Sequence, residues 1–330
     1  MKRIGNLWDG ITSIENIKLA HKKASKGKSH YSEVKEFNKD PDRYCKEIQD
    51  LLLSNKFTTS KYTIKEIFDG RKDRVVHKLP YFPDRVVQHA LMNLVGDILC
   101  KSLIRDTFQS IPNRGTSDAA ARVRALIKNK KPRYALKVDV KKYYPSVNSK
   151  LLMQKIESKI KCKDTLNLIS DILDSSEGLP IGNLTSQIFG NFYLSELDWK
   201  IKQEFKPLGY FRYCDDLLFF ANSKKFLRNL HKQVREELQS LGLVLKDTSQ
   251  IYEVSTQGVD FVGFVFYPNR SRLRKSIKIS FQKSCRKPLV DLSSIMAYKG
   301  WLMKCRAGKL WRKHTRKLTC KYRKQINKVI

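Results

Sequence analysis

Apolar positions along this chain follow two periods, and the switches between them mark out its elements. From about residue 11 to residue 53 the spacing is helical, with breaks near Gly27 and at Asp40-Pro41. Thr58–Ile67 reads as extended, and Asp69-Gly70 turns it into Arg71–Leu79, a predicted hairpin. Pro83 opens a helix through about Leu103, with Val86, Val87, Ala90, Leu91 and Leu94 at helical spacing. The basic turn Asn113-Arg114-Gly115-Thr116 precedes an Ala-rich helix to Lys128. Period two takes over where Leu136, Val138 and Val140 alternate with Ala135, Lys137 and Asp139, the pattern of a half-buried strand. Lys141-Lys142-Tyr143-Tyr144-Pro145 leaves that strand, because proline cannot continue the ladder.

Helices are predicted around Leu151–Ile160 and Leu166–Leu173, and the loop Gly178–Asn183 leads into one long helix, Thr185–Phe205. Phe211 and the run Leu217-Leu218-Phe219-Phe220 flank Tyr213-Cys214-Asp215-Asp216, which predicts two strands joined by an acidic turn. Lys224–Leu241 is an amphipathic helix, followed by short strands at Leu243–Leu245 and Val259–Phe266. Beyond Tyr267-Pro268 the composition shifts to Lys/Arg-rich helix with few acids. Intermixed strands and helices predict an α+β fold with a mainly antiparallel sheet. The 330 residues, 41% hydrophobic, allow a substantial core and two or three subdomains.

Charge points to the partner. Lys plus Arg number 66 against 32 acidic residues, a net charge of +34, and a polyanion relieves such self-repulsion. Basic stretches at Lys128–Arg133, Arg270–Lys278 and Lys304–Lys324 are interleaved with Tyr134, Tyr143, Tyr144, Trp301, Trp311 and Tyr322. That mixture suits phosphate neutralisation with base or sugar stacking, and so a nucleic acid. No apolar stretch approaches the roughly 18 residues that span a bilayer, and Met1-Lys2-Arg3 opens no apolar signal core, so neither a membrane nor a secreted chain is expected. The seven cysteines are scattered without a Cys-x-x-Cys pair, which argues against a disulfide framework or zinc ribbon and for a reducing cytoplasm.

Candidate chemistry lies in carboxylates. Asp215 and Asp216 on one tight turn repel each other, and a cation keeps both ionised. Asp-Asp is also a common turn dipeptide, and Asp139 alone also fits a solvated strand residue. Together, a strand carboxylate and a hairpin bearing two more suit a two-metal site, with cations roughly 3.5–4 Å apart.

Asp139 with an aromatic five positions on, a Gly182 loop and Tyr213-Cys214-Asp215-Asp216 stand in the order of the polymerase palm motifs of reverse transcriptases. Phe261-Val262-Gly263 resembles the primer-grip strand of that family, and the resemblance runs from Arg74 to the thumb-like end. Many reverse transcriptases have glutamine where Ile181 stands and proline where Gln187 stands. The segment Gly178-Leu179-Pro180-Ile181-Gly182-Asn183-Leu184-Thr185-Ser186-Gln187 looks like the version in diversity-generating retroelements. Asp84-Arg85-Val86-Val87-Gln88-His89-Ala90-Leu91 and Tyr298-Lys299-Gly300-Trp301-Leu302 also look like that group.

The resemblance implies a right-hand polymerase: an N-terminal helical region with fingers over 1–110, palm over 111–146, a fingers–palm connection over 147–185, palm again over 186–267 and a basic helical thumb over 268–330. It implies an RNA-directed DNA polymerase in which Asp139, Asp215 and Asp216, with the Val140 carbonyl, hold two Mg²⁺ ions, Mn²⁺ being a substitute. Tyr144 would exclude a 2′-hydroxyl, although a core tyrosine is its plain alternative. Arg74 and Lys72 would meet the triphosphate of the dNTP, or lie in a solvated turn. Ile181, Gly182 and Gln187 would line the nucleotide, and an apolar Ile181 should weaken discrimination between right and wrong pairs. In the resembled group that position and the one matched by Arg74 are tied to misincorporation opposite template adenines. Lys246 is a candidate general acid for the departing pyrophosphate. Arg114, Tyr213, Cys214, Gly263 and Trp301 would meet the template–primer, the tryptophan being equally readable as core.

Implied partners are a dedicated template RNA, the RNA/DNA duplex, dNTPs and a basic, oligomeric accessory variability protein. The expected setting is a prokaryotic or phage-encoded cytoplasmic protein without a membrane. Little chain is expected to remain past the thumb for a nuclease. Two alternatives compete: another prokaryotic reverse transcriptase, of antiphage-defence, retron or group II intron type, and a non-catalytic basic RNA-binding protein.

Overall fold

The computed structural model describes residues 3–68, 73–286, 291–305 and 307–327. Helices α1 (Trp8–Thr12) and α2 (Ile14–Ser25) part at Ser13, whose side chain accepts the Asn16 amide at 3.2 Å. After α3 (Ser32–Phe37), Asp40 caps α4 (Pro41–Leu53) by accepting the Arg43 amide at 3.1 Å. Strands β1 (Thr63–Phe68) and β2 (Asp73–Lys78) pair antiparallel, with Ile64 opposite His77 and Ile67 opposite Arg74. A π turn, Tyr81–Arg85, enters α5 (Val86–Lys101), which buries Val86, Val87, Ala90, Leu91, Val95 and Leu99.

Next come β3 (Thr107–Phe108), α6 (Thr116–Lys130) and β4 (Tyr134–Asp139). Helices α7 (Ser149–Glu157), α8 (Lys163–Asp174), α9 (Leu184–Tyr193) and α10 (Ser195–Lys200) follow, and a π turn closes the series at Ile201–Phe205. Strands β5 (Gly209–Tyr213) and β6 (Asp216–Ala221) precede α11 (Lys224–Ser240), whose Leu227, Leu230, Val234 and Leu238 are buried. Then come β7 (Gln250–Glu253), β8 (Val259–Phe261), β9 (Phe264–Phe266) and β10 (Ser271–Leu273). The basic end forms α12 (Lys275–Ser284), α13 (Leu292–Lys304) and α14 (Gly308–Asn327).

The chain divides into two compact units. The first comprises residues 1–111, 140–204 and 232–246, the second residues 112–139, 205–231 and 247–330. In the first, α5 packs against α2 and α9, and a Cβ on Gly96 would sit 3.4 Å from Ile188, so the helices there approach closely. In the second, four strands run side by side in the order β5-β6-β4-β7, all antiparallel. A second sheet, β8-β9-β10, turns at Val262-Gly263, both with positive φ (42° and 85°), as a two-residue hairpin requires.

Three predicted elements are corrected. The long helix over 185–205 breaks at Leu194 (ψ 2°), where no proline or glycine announces it. Leu243–Leu245 is no strand, since only Leu245 bridges Val140, and the strand lies instead at Gln250–Glu253. Val259–Phe266 is a hairpin of two strands. The predicted turn at Asp69-Gly70 lies outside the described residues.

Candidate active site

The four-stranded sheet positions the acidic side chains. In the antiparallel pair β4–β6, Asp139 is the direct partner of Asp216, which puts their Cα atoms about 4.5–5.5 Å apart. Tyr213 pairs with Asp216 across the β5–β6 hairpin, so Cys214 and Asp215 form its two-residue turn. Cys214 takes a left-handed φ of 57°, unusual for a side chain with a Cβ. Its carbonyl accepts Nη1 of Arg212 at 3.0 Å, and that arginine is wholly buried. A buried guanidinium aimed at a backbone carbonyl braces the strained turn from beneath.

Asp216 is the electrostatic centre. Its Oδ2 lies 2.9 Å from Nζ of Lys137, which also donates to the Asp260 carbonyl at 3.2 Å. Its Oδ1 is buried and has no hydrogen-bond partner among the described residues. Burial pushes its carboxyl up to about 6; Lys137 opposes that rise, and the charges of Asp139 and Asp215 add to it. Among the described residues no three acidic, histidine or cysteine side chains form a ready cage for a cation. The lysine ammonium is the compensating charge in this arrangement. The residues nevertheless fit a divalent cation: Asp216 has an orphaned carboxylate oxygen, the charges of Asp139 and Asp215 add to its own, and oxygen donors suit Mg²⁺.

The other named residues fall in two groups. In the first unit, Tyr144 is half-buried, its ring 5.5 Å from that of Tyr143, whose hydroxyl donates to the Gly190 carbonyl at 2.5 Å. The Tyr144 carbonyl accepts Leu179 N at 2.8 Å, and a Cβ on Gly178 would lie 2.5 Å from the Pro145 carbonyl oxygen. Farther along the same loop, Ile181 is half-buried and its carbonyl accepts His77 N of β2 at 2.8 Å. Gly182 has φ 123°, and a Cβ there would sit 2.8 Å from the His77 carbonyl oxygen, so only glycine fits. Gln187 Oε1 accepts the Ser110 hydroxyl at 2.7 Å, and Asn191 Nδ2 donates to the Gln109 carbonyl at 2.8 Å. Both Gln109 and Ser110 have positive φ (83° and 55°), so the α9 amides clamp a strained loop. Arg74 lies on β2, Lys72 lies outside the described residues, and Lys246 is half-buried. Val140 is buried and bridges Leu245.

In the second unit Tyr213 is half-buried, and its phenol is pushed up by burial. Arg114 is half-buried just ahead of α6. A Cβ on Gly263 would overlap the Trp301 ring, with Ile277 at 3.0 Å. Trp301 also stacks obliquely on Phe264 at 5.3 Å, so this tryptophan fastens α13 to the β8–β9 hairpin. Two residues of the site, Lys137 and Arg212, carry no functional motif in the sequence. The period-two pattern put Lys137 on the Asp139 side of its strand, which was the available signal; nothing in the pattern marks Arg212 as buried.

Comparison with known proteins gives a consistent answer. A family model described as reverse transcriptase (RNA-dependent DNA polymerase) matches residues 69–266. The chain is 27% identical to the retron Ec73 reverse transcriptase of Escherichia coli, over 41% of this chain and 50% of that one. It thus spans about half the length of that curated relative. Apo telomerase from Candida tropicalis superposes with a TM-score of 0.53 at 15% identity, covering 81% of this chain and 60% of that one. Telomerase from Candida albicans in complex with the TWJ fragment of telomeric RNA gives 0.53 at 15%, covering 83% and 58%. This likeness is one of fold, the right-hand polymerase architecture with mixed helix and sheet.

Proposed function

The chain belongs to the reverse transcriptase family, and from that premise we propose that it is an RNA-directed DNA polymerase of the diversity-generating type, copying a dedicated template RNA into adenine-mutagenised cDNA. The observation that carries the polymerase reading is the Asp139–Asp216 register pair beside the Asp215 turn, with one carboxylate oxygen buried and unmatched. Asp139, Asp215 and Asp216 would hold the cations, and Lys137 would yield its place on Asp216 to them. Two Mg²⁺ ions bound there would acidify the primer 3′-hydroxyl and offset charge on the transferring phosphoryl group.

In the same reading Tyr144 excludes ribonucleotides by its ring, and Arg74 and Lys72 meet triphosphate oxygens. Ile181 gives the nucleotide no hydrogen bond where a glutamine would, which relaxes discrimination. Lys246 donates a proton to the leaving pyrophosphate, and the +34 charge matches the RNA/DNA duplex. Arg114 and the Gly263 turn, fastened by Trp301, hold the template–primer. The division into fingers, palm and thumb given above belongs to this proposal, as does a basic oligomeric accessory protein that needs the RNA between itself and this chain. Among the described residues no helix is long and apolar enough to cross a membrane.

A second reading is favoured by one observation, the match to a retron reverse transcriptase. Sequencing cDNA made with the native RNA separates the two. Errors concentrated at template adenines support the diversity-generating reading; faithful copies, or untemplated polymer, favour another prokaryotic reverse transcriptase, of antiphage-defence, retron or group II intron type.

A further inference from the structure

A directed chain of hydrogen bonds runs through Tyr62. Asn183 Nδ2 donates to the Tyr62 hydroxyl oxygen at 3.0 Å, and that hydroxyl lies 2.9 Å from Ser175 Oγ. Ser175 gives its own proton to the Ile172 carbonyl at 2.7 Å, so Tyr62 must be the donor to Ser175. The order is therefore fixed from the start of α9, through Tyr62, to the end of α8. Asn183 is the N-cap residue of α9 and buried, yet its side chain caps no amide of that helix. An asparagine at that position ordinarily accepts from the first turn. Here its amide is committed to Tyr62 instead.

The Tyr62 ring also stands edge-on to His77 (5.6 Å, 89°), and His77 N holds the Ile181 carbonyl. Ile181 and Gly182 are thus held from both sides by groups that converge on one tyrosine. Its neighbours Thr59 and Ser60 are tied elsewhere, to Asp171 at 2.6 Å and Asp84 at 2.8 Å, so the segment 59–62 does not depend on the Tyr62 hydroxyl for its path.

We propose that Tyr62 is a positioning residue that sets the Ile181–Gly182 backbone against β2 and thereby sets discrimination between matched and mismatched dNTPs. The assignment rests on the polymerase reading. The test is single-nucleotide incorporation by the full chain on primed template RNA, comparing Tyr62→Phe, Asn183→Ala, their double variant and Thr59→Val. Tyr62→Phe keeps the ring and removes the hydroxyl. It should raise KM for the matched dNTP about five- to tenfold, leave kcat within about twofold, and alter the matched-to-mismatched ratio. Asn183→Ala should do the same, and the double variant should be no worse than either single, because both cut one chain. Thr59→Val, which breaks a tie outside that chain, should lower Tm and leave KM and the ratio unchanged. Unaltered KM and ratio in Tyr62→Phe, or additive effects in the double variant, would overturn the assignment. A wild-type chain that incorporates nothing even with template RNA and the basic accessory protein supplied would overturn the polymerase reading and this assignment together.

Discussion

Two antiparallel hairpins in this molecule are built on opposite physics. In β5–β6, Tyr210, Phe211, Arg212 and Leu217 through Phe220 are all buried, and the neighbouring strand β4 completes the pairing. In β1–β2, every residue of β1 is exposed, including Ile64, Ile67 and Phe68. The first is placed by packing, which tolerates little displacement. The second is placed by its own ladder and by a few polar ties such as His77 to Ile181, each contributing about 1 kcal/mol net. Packing suits carboxylates that must stay in register with one another. Polar ties leave the exposed hairpin easier to open locally, because few buried contacts hold it.

The comparison breaks most decisively at the carboxylates. Asp139→Ala or Asp215→Asn should reduce nucleotide incorporation by about 10³-fold or more while leaving the unfolding midpoint nearly unchanged. Loss of activity in step with loss of folded protein would reduce these residues to structural ones. The next largest contrast is in stability. Leu218→Ala in β6 should lower unfolding free energy by about 2–5 kcal/mol, whereas Ile64→Ala in β1 should stay within about 0.5 kcal/mol. Denaturant titration measures both, and similar values would erase the distinction between the hairpins. Gly182→Ala forces a Cβ against the His77 carbonyl at a positive φ, so it should destabilise by about 1–3 kcal/mol and raise KM for dNTP severalfold.

The last contrast is a titration in the unit that carries the exposed hairpin. Burial, aided by Lys28, Arg85 and Lys23, lowers His89 to about 4 from 6.5. The folded state therefore holds fewer protons than the unfolded one between those values. Stability from this group is full above pH 6.5, declines as pH falls toward 4, and changes no further below that. The expected loss is about 3 kcal/mol, and His89→Gln should flatten that part of the pH–stability curve.

Sequence reading recovered the elements whose burial follows a simple period. The alternation in Leu136, Val138 and Val140 located β4, and the apolar runs around Tyr213–Asp216 located the β5–β6 hairpin. It failed where tertiary contacts decide. Gln250–Glu253 is a polar strand recruited by pairing with β4, while apolar Leu243–Leu245 pairs only through one bridge. The break at Leu194 carries no helix-breaking residue. Within the candidate site, the three acids named from the sequence come together on one sheet, but the company they keep was not legible. Charged residues ordinarily face outward, so no pattern announces the buried Arg212 beneath the turn or the Lys137–Asp216 pair, which tertiary contacts set. The ties on Gln187 were equally hidden, since a half-buried amide on a helix shows no period of its own.

The most direct measurement is DNA synthesis on the native template RNA with and without Mg²⁺, for the wild-type chain and for Asp139→Ala and Asp216→Asn. The account predicts a DNA product that requires the cation and disappears in both variants although they remain folded. Product formed without a divalent cation, or undiminished when either carboxylate is removed, would contradict it.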